Sequence, residues 1–126
     1  MKINNINDLA HQDLTSSKTG ETYSKSLVLT DLLEFKDIFV HHEILLPGRR
    51  TSAPHSHSLR EEMVIVLNGS PTCHLGDQTL KMKTGDFVGF SSGSSELHYI
   101  ENTMDEVARF LVICSCPQGD CVVYDS

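Results

Sequence analysis

From residue 37 onward apolar and polar positions alternate with a period of two. Over residues 37–46 one parity carries Ile38, Val40, His42, Ile44 and Leu46, and the other carries Asp37, Phe39, His41, Glu43 and Leu45. Successive side chains on a strand point to opposite faces, so this split predicts a strand whose first parity faces a core. His42 then belongs to the core as a hydrogen-bonded histidine, while His41 and Glu43 face solvent. Pro47-Gly48 ends the strand. Residues 63–67 form a short apolar run closed by Asn68-Gly69-Ser70, and residues 72–75 and 78–82 flank Gly76-Asp77, a tight hairpin turn. Thr84-Gly85-Asp86 leads into a strand at 87–90, and a Ser/Gly loop at 91–95 leads into another at 97–101. Residues 107–115 make the last long strand. There Ala108, Phe110, Val112 and Cys114 share one face, and Arg109, on the other with Leu111 and Ile113, is a candidate to enter the interior.

No segment after residue 36 has a helical period with caps, and residues 27–35 fit either a short helical turn or a further strand. Many short strands separated by turn signals predict an all-β sandwich or barrel. Residues 1–26 are rich in Ser, Thr, Asn, Lys and Asp. They are read as a polar N-terminal arm, loosely ordered or packed along the barrel, leaving residues 27–126 as a single barrel domain. A chain of 126 residues suits one domain that folds without disulfide support.

Charge narrows the partners. Ten Lys and Arg against 17 Asp and Glu give a net charge of −7. Such a surface repels phosphate backbones, so nucleic acid is not an expected partner. The polar first eight residues lack the apolar centre of a signal peptide, and no apolar run reaches spanning length, so no membrane partner and a cytoplasmic location are expected. In that reducing compartment Cys73, Cys114, Cys116 and Cys121 are expected as free thiols. Cys114 and Cys116 continue the apolar face of the last strand and read as small buried hydrophobes rather than as a zinc knuckle.

The chemistry is concentrated between residues 48 and 69. His55 and His57 are two apart and share one face of an extended segment. Glu62 follows at the start of the next apolar run, with Glu61 beside it. Imidazole plus carboxylate is a ligand set for first-row divalent metals. His98, opening a later strand, is the candidate to complete the set. The alternative is a polar pocket without metal, but each buried imidazole and carboxylate then needs another hydrogen-bond partner. Arg49, Arg50 and Arg60 flank the segment and read singly as loop charges.

These residues resemble the two motifs of the cupin superfamily. The first, G-x5-H-x-H-x3–4-E-x6-G, is matched by Gly48, His55, His57, Glu62 and Gly69, with one extra residue after Gly48. Glu62 rather than Glu61 keeps the spacing to Gly69. The second, G-x5-P-x-G-x2-H-x3-N, is matched by Gly85, Gly93, His98 and Asn102, with Ser91 in place of the proline and two extra residues before His98. The resemblance covers roughly residues 36–125. Together with the ending Gly119-Asp120-Cys121, it is nearest to a branch of bacterial single-domain cupins with no assigned reaction. It implies a cupin-type double-stranded β-helix (jelly-roll) barrel in which His55, His57, Glu62 and His98 hold one divalent transition metal ion (Zn, Fe, Mn or Ni). It implies a small-molecule ligand in the barrel, and a homodimer paired through sheet edges. A metal-dependent enzyme acting on a small polar molecule is then expected, oxygenase or isomerase-like. The alternative is a non-catalytic small-molecule binding or sensing module, because one fold hosts many functions.

Overall fold

The computed structural model describes residues 2–125. Eleven strands follow one another: β1 (Gln12–Thr15), β2 (Thr22–Val28), β3 (Ile38–Leu45), β4 (His55–His57), β5 (Glu62–Asn68), β6 (Thr72–Leu75), β7 (Gln78–Lys81), β8 (Phe87–Phe90), β9 (His98–Glu101), β10 (Ala108–Ser115) and β11 (Val122–Tyr124). A 3-10 turn at Ile6–Asp8 precedes them, and one short helix, α1 (Leu29–Leu33), separates β2 from β3. No helix follows residue 36 among the described residues. Residues 27–35 therefore hold both expected forms, the end of a strand and one helical turn, which stops at Glu34 in the left-handed region (φ 56°).

The strands form two antiparallel sheets, ordered β1-β2-β3-β10-β5-β8 and β11-β4-β9-β6-β7. This is the expected all-β jelly-roll barrel. In the segment read as an arm, β1 and β2 make a hairpin that extends the larger sheet through β3, with Lys25 opposite Ile44 and Leu27 opposite His42. The predicted hairpin of β6 and β7 pairs Leu75 with Gln78 around Gly76. The core between the sheets is built on Leu45, Val64, Val66, Cys73, Ala108 and Phe110, each 1% exposed or less. Burying the Leu, Val and Phe side chains among them contributes about 1.5–3 kcal/mol each.

The structure reverses the expected faces of β3. Phe39 and Leu45 pack into the core, and His41 and Glu43 share their parity and line a cavity together with core residues Val64, Phe110 and Val112. His42 is buried on the outer face, where its Nδ1 lies 2.7 Å from Nε2 of His11. Both parities of β3 carry apolar residues, so hydrophobicity alone does not orient the strand. The inner parity is polar in its middle because that stretch lines a site. Arg109 also stays outside. It shares the outer face of β10, opposite the buried Ala108, Phe110, Val112 and Cys114, and its charge acts on His11 and His42.

Candidate functional site

Strand β4, which carries His55 and His57, is only three residues long and is held between β11 and β9. His55 is the register partner of His98, and their ring centroids are 4.5 Å apart. Glu62 opens β5 between Phe90 of β8 and Cys114 of β10. Three elements thus bring His55, Glu62 and His98 together, with ligand atoms all within 4.8 Å of one another. Nε2 of His98 is 3.6 Å from Oε1 of Glu62. His57 stands beside this group, its Nε2 4.0 Å from Oε2 of Glu62. Glu61 is exposed, and its backbone N–H donates to the Ser115 hydroxyl.

The rings are held from behind. Nδ1 of His55 lies 3.1 Å from the Ala53 carbonyl and 2.9 Å from the Ser52 hydroxyl. Nδ1 of His57 lies 2.8 Å from Oδ2 of Asp120. Carbonyl and ionised carboxylate only accept, so each Nδ1 is the donor, and in the neutral form of either ring Nε2 carries the lone pair. The His98 ring stacks on Phe90 at 3.7 Å between centroids and 3° between planes.

Burial and the neighbouring imidazoles act together at His55 and in opposite senses at Glu62. Burial, with the neighbouring His98, pushes the His55 pKa down and keeps its ring neutral. Burial would raise Glu62, but the close approach of the His98 ring, with His55 and His57 beside it, outweighs this and holds it below the ordinary carboxylate range. The backbone N–H of Leu59, then His57 and Arg60, hold Asp120 low as well. Burial pushes the Cys114 thiol up to about 12, so it donates to Oε2 of Glu62 rather than acting as a thiolate ligand. All four cysteines are free.

Four buried side-chain atoms lack a hydrogen-bond partner among the described residues: His41 Nδ1, Glu43 Oε2, Arg60 Nε and His98 Nε2. All four residues line one cavity of ≈ 280 Å³, together with His55, His57 and Glu62. Unpartnered buried polar atoms are costly, and the meeting of all four residues around a shared cavity marks a place suited to a polar guest. The orphaned His98 Nε2, facing an ionised carboxylate, is what a metal site requires, so the donor set fits a divalent ion. Nδ1 of His41 is 3.1 Å from Oε2 of Glu43, outside hydrogen-bond geometry, and Oε1 of Glu43 accepts from the buried Ser24 hydroxyl at 2.6 Å. His41 and Glu43 thus line the cavity rather than facing solvent as expected, and Asp120 holds a place that the sequence motifs do not mark. The close spacing of His41 and Glu43 on one parity was the available signal for the first pair. Asp120, 63 residues from His57, left none.

The family model described as Cupin domain matches residues 41–114, more than half of the chain. Among solved structures, a candidate sugar phosphate isomerase of Acidithiobacillus ferrooxidans is 27% identical with a TM-score of 0.86, over 94% of this chain and 76% of that one. A cupin-superfamily sugar phosphate isomerase of Silicibacter pomeroyi is 27% identical with a TM-score of 0.78, over 82% of this chain. The match spans 66% of that protein's own length, just under two thirds. A predicted oxalate decarboxylase of Thermotoga maritima is 20% identical with a TM-score of 0.77, over 92% of this chain and all of that one, and shares the fold. Among curated proteins no sequence matches.

Proposed function

The chain belongs to the cupin domain family, and from that premise we propose a metal-dependent, isomerase-type enzyme acting on a small hydroxylated anion inside the barrel. The observation that carries this reading is that the four residues with orphaned polar atoms all line a cavity that also holds the imidazole and carboxylate cluster. The sugar phosphate isomerase of Silicibacter pomeroyi and the candidate one of Acidithiobacillus ferrooxidans, each 27% identical, support the same class.

His55, His57, Glu62 and His98 would hold one Zn, Fe, Mn or Ni ion, which when bound supplies a Lewis acid for a substrate carbonyl or hydroxyl. The protein's own groups do the rest. Arg60 offers its buried Nε to the anionic group. Oε2 of Glu43, held in place through Ser24, takes a proton from the carbon beside the carbonyl and returns it to the neighbouring carbon, so no external redox partner is needed. His41 takes the proton from the neighbouring hydroxyl and delivers it to the former carbonyl oxygen, so that both protons are accounted for. Val64, Phe110 and Val112 line the inner wall and exclude water. A cavity of ≈ 280 Å³ limits the guest to a small molecule. The same reading includes a cytoplasmic homodimer joined through a sheet edge; β8 is such an edge and presents Phe87 at 70% exposure. No helix among the described residues is long and apolar enough to cross a membrane.

The test is deuterium exchange in D2O, followed by NMR, for aldose and ketose phosphates of three to six carbons with the metal-loaded protein. Deuterium entering beside the carbonyl, and lost in Glu43→Gln, is the expected result. Saturable binding without exchange across the panel contradicts the enzyme reading and favours the binding module.

A further inference from the structure

Asp120 sits just before β11, outside the residues that match the family model. Its side chain is 11% exposed and both oxygens are engaged. Oδ2 accepts from Nδ1–H of His57 at 2.8 Å. Oδ1 accepts from the backbone N–H of Leu59 at 2.8 Å and of Arg60 at 2.9 Å, and lies 3.5 Å from the Ser58 hydroxyl. The backbone closes the clasp. Ser58 N–H donates to the Cys121 carbonyl at 2.9 Å, Cys121 N–H donates to the Ser58 hydroxyl at 2.8 Å, and Val122 pairs with His57.

We propose that Asp120 is a positioning residue of the metal centre: it locks His57 as the Nδ1–H tautomer, so that Nε2 is free to join His55, Glu62 and His98. The inference rests on the metal reading above and deepens it, by assigning the fourth ligand's orientation to the C-terminal segment. The reasoning is one of acceptor count. An ionised carboxylate has no proton to give, so the imidazole must donate through Nδ1. The same carboxylate fixes the turn at residues 58–60, from which Arg60 enters the cavity.

Asn at this position distinguishes the role from simple loop bracing. Its oxygen can keep the Leu59 and Arg60 N–H groups, which leaves its NH2 against Nδ1 of His57. The ring must then accept at Nδ1 and carry its proton on Nε2, where it cannot ligate. Two measurements decide. In 15N-histidine-labelled, metal-free wild type at pH 8, long-range 1H–15N spectra are expected to show His57 protonated at Nδ1 and bare at Nε2, and Asp120→Asn to show the opposite tautomer. In Co2+ titrations followed by visible absorption, Asp120→Asn is expected to bind about 10- to 100-fold more weakly than wild type with an altered ligand-field spectrum, and Asp120→Glu to recover part of the loss. A wild-type His57 protonated at Nε2, or an Asp120→Asn variant with wild-type affinity and spectrum, overturns the proposal. If the folded wild type binds no Co2+, the metal reading falls, while the tautomer measurement still decides whether Asp120 sets His57.

Discussion

His55 and His98 are partners across the β4–β9 pair, and their rings meet at 4.5 Å between centroids, with a Glu62 carboxylate oxygen within 4.8 Å of a nitrogen of each. A backbone register, rather than a flexible loop, therefore sets the distance between two imidazoles that lie 43 positions apart in the chain. Sites built on strands hold their geometry better than sites on loops.

The two glycines of the opposing motifs should respond differently to alanine. Gly69 has φ +90°, and a Cβ there would stand 2.8 Å from the Ala108 Cα and 2.9 Å from the Val107 carbonyl oxygen. Gly85 has φ +92° but nothing within 4 Å of a Cβ. Gly85→Ala should cost about 1–2 kcal/mol from backbone strain alone. Gly69→Ala must also move backbone in β10 and should cost more, about 3 kcal/mol or above. Urea unfolding of both variants beside wild type checks the order.

Asn102 is fully buried and ties three segments together. Its amide nitrogen donates to the Leu45 carbonyl at 2.9 Å and the Glu106 carbonyl at 2.7 Å, and its oxygen accepts from Met104 N–H at 3.0 Å. Asn102→Ala leaves those groups unpaired and should cost about 2–4 kcal/mol. Asn102→Asp should be at least as damaging, because it sets a carboxylate oxygen against two carbonyls. Denaturation midpoints at pH 7.5 measure both.

Acid should destabilise the fold through histidines. Burial, with His11 and Arg109 nearby and Glu43 opposing, lowers the His42 pKa to about 4 in the folded state, against 6.5 ordinarily. A depressed histidine favours folding fully above its unfolded value, and this contribution drains away as pH falls from 6.5 toward 4, because the unfolded chain takes up the proton first. His55 shifts in the same direction. The urea midpoint of the wild type should therefore fall between pH 7 and pH 4.5, and that of His42→Leu should fall less steeply over the same range. Parallel slopes for the two proteins contradict the assignment to His42.

Much of this was legible in the sequence for identifiable reasons. Period-two alternation, Gly76-Asp77 and the motif glycines predict strands and turns because pleat and positive φ constrain local residue choice. His55, His57 and Glu62 are legible because they are close in sequence, and His98 because a motif marks it. The orientation of β3 was not, since Ile38, Val40 and Ile44 outweigh Phe39 and Leu45 in apolarity and the polar His41 and Glu43 serve a cavity that only the closed barrel creates. Asp120 was hidden for a related reason: β11 returns to β4 only in three dimensions.

The most direct test of the central claim is metal content by elemental analysis, on protein purified without chelator or nickel affinity, for wild type and the folded His55→Ala/His98→Ala double variant. The account predicts about one equivalent of a first-row divalent metal per wild-type chain and essentially none in the variant. A wild type that stays empty after reconstitution with Zn, Fe, Mn and Ni, or a variant that retains its equivalent, would contradict it.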